Sequence, residues 1–150
     1  MPAAPPPLRI LLVDDDPAFA ELIKCVLTLD GSEVLGHALD GAEGVALANE
    51  LQPDVVLMDV RMPRMDGLEA TRRIRATVPD ARVLVVSSST DPEDVERARD
   101  VGAHGYLPKE RVATELHDWL ELLRPPALAP RPRTPYRLVG WKPLELSGGY

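Results

Sequence analysis

A single cysteine, Cys25, excludes an internal disulfide and makes a cytosolic setting the default expectation. No apolar run reaches the ~18–20 residues that a membrane-spanning helix needs. The proline-rich start, residues 1–7, lacks the basic and apolar regions of a secretory signal. His37, His104 and His117 show no ligand spacing and read as structural or surface residues. Clustered basic charge is also missing from the body of the chain. The net charge is −7, and Arg131, Arg133, Arg137 and Lys142 against Glu145 give residues 125–150 a charge of +3, which leaves −10 for residues 1–124. That acidic body argues against direct binding to nucleic acid, where phosphate contacts need clustered Lys and Arg. It suits a bound cation.

What is present is a regular alternation. Residues 8–13, 33–38, 54–58, 82–87 and 103–107 read as strands, with the first, third and fourth the most continuously apolar. Between and after them run five helical patterns. The first carries Phe19, Leu22, Ile23, Val26 and Leu27, with Cys25 near its apolar stripe and expected to be packed. The second covers residues 42–51 after the Asp40-Gly41 turn, and the third residues 68–76. The fourth has Pro92 in its first turn and Thr90 with Glu93 at capping-box spacing, while Asp91, like Asp16 before the first helix, reads as an N-cap. The fifth shows Val112, Leu116, Trp119, Leu120 and Leu123. Such alternation predicts an α/β fold: a doubly wound, five-stranded parallel sheet flanked by five helices. The domain is expected over residues 8–124. The prolines of 125–135 preclude a helix and predict an extended tail over 125–150, with a further aliphatic stretch at 136–146.

In open sheets of this kind, sites lie beyond the carboxyl ends of the strands. Asp14, Asp15 and Asp16 follow the first strand, Asp59 the third, Ser87, Ser88 and Ser89 the fourth, and Lys109 the fifth. Carboxylates gathered this closely repel one another, so such a site should have raised pKa values or recruit a cation. Hard oxygen donors suit Mg²⁺. A remaining carboxylate can then attack phosphorus, with an ammonium and a hydroxyl placed to meet the phosphoryl oxygens.

The stretches Leu12-Val13-Asp14-Asp15-Asp16, Met58-Asp59-Val60-Arg61-Met62-Pro63-Arg64-Met65-Asp66-Gly67 and Gly105-Tyr106-Leu107-Pro108-Lys109 resemble response-regulator receiver domains, with their flavodoxin-like or CheY-like fold. The resemblance implies that Asp59 is the phosphoacceptor. Asp14, Asp15 and Asp59, with the backbone carbonyl of Arg61, are implied as Mg²⁺ ligands. Ser87 is implied as the switch hydroxyl, Tyr106 as the switch aromatic and Lys109 as the partner of the phosphoryl oxygens. Arg61 and Ser89 fall at positions that tune phosphoryl lifetime in the family. One departure is that Pro108 precedes Lys109 and Glu110 follows it.

The resulting expectation is a switch in two-component signal transduction, not an enzyme acting on an outside substrate. Its phosphoryl donor is expected to be a sensor histidine kinase or phosphotransfer protein. Its effector is expected at the face formed by the fourth helix, fifth strand and fifth helix, where a homodimer would also fit. No DNA-binding output segment is expected in residues 125–150. Two alternatives stand beside it. A Mg²⁺-dependent phosphohydrolase would usually carry a second acid two residues after its Asp nucleophile, where this chain has Arg61. An unphosphorylated interaction module would not need every site position filled.

Overall fold

The computed structural model describes residues 6–126. Residues 127–150 of the tail expected over 125–150, and residues 1–5 of the proline-rich extension, lie outside that range. Eleven elements follow one another: β1 (Arg9–Val13), α1 (Pro17–Leu29), β2 (Glu33–Ala38), α2 (Gly41–Leu51), β3 (Val55–Met58), α3 (Gly67–Thr77), β4 (Arg82–Ser87), α4 (Pro92–Asp100), β5 (Gly105–Pro108), a 3-10 turn (Lys109–Arg111) and α5 (Val112–Leu123). All strands pair in parallel, in the order β2-β1-β3-β4-β5. The three most apolar strands are the three central ones, since a strand covered on both faces has no solvent side to make polar. No described helix is long and apolar enough to cross a membrane.

Alternation within each strand sorts the side chains into two layers. Ile10, Leu12, Val55, Leu57, Leu84 and Val86 pack toward Ile23 and Leu27 of α1 and toward Leu116, Trp119, Leu120 and Leu123 of α5. On the other face Leu11, Val13, Val56, Met58 and Val83 meet Ala48 of α2 and Ala70 and Ile74 of α3. A third group joins Val60, Leu68 and Val85 to Val95 and Ala98 of α4 and to Tyr106. Trp119 is a core residue, 1% exposed.

Several local expectations are corrected. The fifth strand starts at Gly105; Ala103 is spent on the turn that closes α4, where its N–H donates to the Ala98 carbonyl, and His104 N–H donates to the Val83 carbonyl of β4 just ahead of the strand. The α4 cap is Asp91, whose carboxylate accepts from Glu93 N–H at 2.9 Å, so the Thr90–Glu93 capping box does not form. Cys25 is exposed rather than packed, and Leu22 is 57% exposed. Both sit away from Ile23 and Leu27, which face the sheet and the buried core.

Candidate functional site

The order in which strands are added to the sheet switches sides between β1 and β3. β2 lies on one side of β1, and β3, β4 and β5 lie on the other. The loops after β1 and β3 therefore part over one crevice. Asp14 stands at the end of β1, where its N–H donates to the Ala38 carbonyl at 3.0 Å and its carboxylate accepts from Asp16 N–H at 2.8 Å. His37 Nε2 lies 2.8 Å from the Asp14 carbonyl oxygen. Asp16 is turned away to cap α1, accepting from Ala18 and Phe19 N–H. Asp59 extends β3 by one residue, its N–H donating to the Val13 carbonyl at 2.8 Å.

Gly67 explains how Asp59 is held. Its N–H donates to the Val60 carbonyl at 2.8 Å, and a Cβ at this position would lie 1.8 Å from the Asp59 carbonyl oxygen. Only a residue without a side chain lets α3 begin this close to the site. Asp66 caps the same helix, accepting from Leu68 and Glu69 N–H at 2.9 Å each.

Four of the expected site residues converge. Carboxylate oxygens of Asp14, Asp15 and Asp59 lie within 4.8 Å of one another, with Asp14 and Asp59 buried and Asp15 exposed. Lys109 Nζ is 3.0 Å from Asp14 Oδ2 and 3.7 Å from Asp59 Oδ2, and it sits 4.3 Å from the centre of the Phe19 ring. Three carboxylates thus face one ammonium. Burial, followed by the Asp14 charge, pushes the Asp59 pKa up to about 6, against the pull of Lys109 and of Val60 N–H, which donates to Asp59 Oδ1 at 2.9 Å.

Ser87 and Tyr106 occupy the neighbouring end of the sheet. Ser87 is buried as the last residue of β4 and its hydroxyl oxygen accepts from Ser89 N–H at 3.1 Å, whereas Ser88 is exposed. Tyr106 is 2% exposed and its hydroxyl donates to the Ser89 carbonyl at 2.8 Å; burial raises its pKa. The Arg61 side chain points to Asp94 on α4, 3.7 Å away.

The sequence matches the response regulator receiver domain family over residues 10–121. The chain belongs to that family. The transcriptional regulatory protein LiaR of Bacillus subtilis is 41% identical over 112 residues, covering 74% of this chain and 53% of that protein. The transcriptional regulatory protein DegU of Brevibacillus brevis is 34% identical over 133 residues, covering 88% of this chain and 56% of that protein. The chain thus spans about half the length of the curated relatives it matches. The signal receiver domain of the Mycobacterium tuberculosis response regulator NarL superposes with a TM-score of 0.75 at 36% identity, covering 79% of this chain and 98% of that one. As a receiver domain of two-component systems, the protein has the fold and the acidic crevice expected of it.

Some participants escaped sequence reading. Asp94 is 8% exposed although it lies in a strongly charged helix, and nothing in the pattern of α4 marks it off from Glu93 or Glu96. Asp40, read only as a turn residue, caps α2 by accepting from Glu43 N–H, while the Glu43 carboxylate accepts from Leu39 N–H, one residue before the cap; the Asp-x-x-Glu spacing was a visible signal of a helix start. Asp40 also pairs with Arg64, which holds the loop after β3 in place at a left-handed φ of 68°. That pairing joins two loops and has no local signal.

Proposed function

We propose that this receiver domain accepts a phosphoryl group on Asp59 from a histidine kinase or phosphotransfer protein, and that the resulting charge alters the surface of α4, β5 and α5. The observation that carries the reading is the convergence of Asp14, Asp15 and Asp59 with Lys109 on one crevice. Three oxygen donors within 4.8 Å fit a hard divalent cation, and Asp14, Asp15, Asp59 and the Arg61 backbone carbonyl would hold Mg²⁺. When bound, Mg²⁺ supplies positive charge against the carboxylate and phosphoryl oxygens.

Asp59 is the nucleophile. One of its carboxylate oxygens forms the bond to phosphorus while the bond from phosphorus to the donor's imidazole nitrogen breaks, and the imidazole leaves with that electron pair. A pKa of about 6 leaves Asp59 mostly ionised at neutral pH, with a basicity above that of an ordinary aspartate. Lys109 keeps a cation facing the reacting oxygens and exchanges a carboxylate partner for a phosphoryl oxygen. The phosphoryl group brings a charge of about −1.5 to −2. Ser87 then turns its hydroxyl from Ser89 N–H toward that charge, and the turn that holds Tyr106 rearranges with it. The −10 charge of residues 1–124 supports a protein rather than DNA as the partner of this face. Arg61 stands two residues after Asp59, where a phosphohydrolase would usually carry a second acid.

Intact mass after incubation with Mg²⁺ and acetyl phosphate tests the assignment. One phosphoryl group is expected on the unaltered protein and none on Asp59→Asn. Equal labelling of the two would refute Asp59 as the acceptor.

A further inference from the structure

Asp94 is an acidic residue outside the crevice, and it links three parts of the switch. Its Oδ2 accepts from the Ser89 hydroxyl at 2.5 Å. Its Oδ1 lies 3.3 Å from Arg97 Nη1, a neighbour one turn along α4. Its third partner comes from another element: Arg61 Nη2, 3.7 Å from Oδ2, on the loop two residues beyond Asp59. Ser89 is itself a junction. Its N–H donates to Ser87, its carbonyl accepts from Tyr106, and its hydroxyl oxygen accepts from Asp91 N–H at 3.2 Å. Asp94 therefore ties the turn that holds Ser87 and Tyr106 to the loop that carries Arg61.

The tie to Arg61 is the weakest of the three. Its 3.7 Å separation exceeds the ~2.7–2.9 Å of a charge-assisted hydrogen bond, and the Arg61 side chain is 80% exposed. Asp94 gives Arg61 an oxygen already engaged by Ser89. A phosphoryl group on Asp59 would present three acceptor oxygens and more charge, the geometry a guanidinium fork fits best.

We propose that Asp94 is the resting partner of Arg61, and that phosphorylation of Asp59 transfers the Arg61 guanidinium from Asp94 to the phosphoryl oxygens, releasing the Ser89 turn and α4 from the loop after β3. Arg61 is then a phosphoryl-binding residue and Asp94 a positioning residue that competes for it. This exchange rests on Asp59 being the phosphoacceptor.

The experiment is a double-substitution cycle read by fluorine NMR titration of beryllofluoride, a phosphoryl mimic, in the presence of Mg²⁺. Asp94→Asn keeps an acceptor for Ser89 and removes the charge, so the turn stays intact; Arg61→Ala removes an exposed side chain. Asp94→Asn is expected to tighten beryllofluoride binding by up to about fivefold, the equilibrium factor of an exposed ion pair. Arg61→Ala is expected to weaken it. In the Arg61→Ala background, Asp94→Asn is expected to have no effect. An equal effect in both backgrounds would mean that Asp94 acts only through the fold, and no effect in either would mean that it does not compete; both overturn the exchange alone. No binding of beryllofluoride to the unaltered protein would overturn the phosphoacceptor reading, and the exchange with it.

Discussion

In the metal-free protein, Asp59→Asn is expected to raise stability at neutral pH. Folding carries the Asp59 pKa from its ordinary 3.8 to about 6. The folded state therefore holds this proton more tightly than the unfolded state. Stability from this group is greatest below pH 3.8, falls as pH rises toward 6, and stays at its reduced level above that. A rise of this size corresponds to about 3 kcal/mol, and solvent reaching the crevice lowers this to about 1–2 kcal/mol. The amide keeps an oxygen for Val60 N–H, so the loop loses no acceptor. Urea unfolding followed by circular dichroism in EDTA, from pH 3.5 to 8, gives the comparison. The expected result is a variant about 1–2 kcal/mol more stable than the unaltered protein at pH 7.5, with the gap closing below pH 4. A variant of equal or lower stability at pH 7.5, or a gap independent of pH, would refute the account of a crevice in which burial and the Asp14 charge disfavour the Asp59 carboxylate.

Three further outcomes concern the fold and its surface. Gly67→Ala is expected to destabilise the fold by about 3 kcal/mol or more and to weaken Mg²⁺ binding, because the added Cβ meets the Asp59 carbonyl; thermal unfolding with and without Mg²⁺ reads both. Burial, with Arg75 and Arg82 nearby, lowers the pKa of His104 from 6.5 to about 3 while its Nδ1 accepts from Val83 N–H at 3.1 Å. Its contribution is complete above pH 6.5 and is lost as pH falls toward 3, about 2–4 kcal/mol in all, so His104→Gln should flatten that part of the acid-unfolding curve. Cys25 is exposed, so Ellman's reagent should titrate one thiol in the native protein without denaturant; reaction only after unfolding would contradict its placement.

Much of the fold was legible because burial leaves a local periodic trace. The apolar runs at 10–13, 55–58 and 83–86 became central strands, and the spacing of Val112, Leu116, Trp119, Leu120 and Leu123 became the buried face of α5. The same alternation of strands and helices put Asp14, Asp15, Asp59 and Lys109 at one sheet edge, since each follows the carboxyl end of a parallel strand. Boundaries were less legible. Ala103 is apolar and buried, so pattern alone joins it to β5, although it belongs to the turn after α4. Cys25 and Leu22 are equally misleading, since one helix stripe is wider in apolar residues than the strip that is buried.

By itself, the sequence determined the layers, the central strands and the residue types gathered at the crevice, because each follows from short-range periodicity and from the rule that parallel strands end on the same side. Only the tertiary structure decided which charge faces which. Asp94 with Arg61, Asp40 with Arg64, and Tyr106 with the Ser89 carbonyl each join loops or elements distant in the chain. Such pairings depend on how the loops fold over the sheet edge, and no period in the sequence encodes that approach.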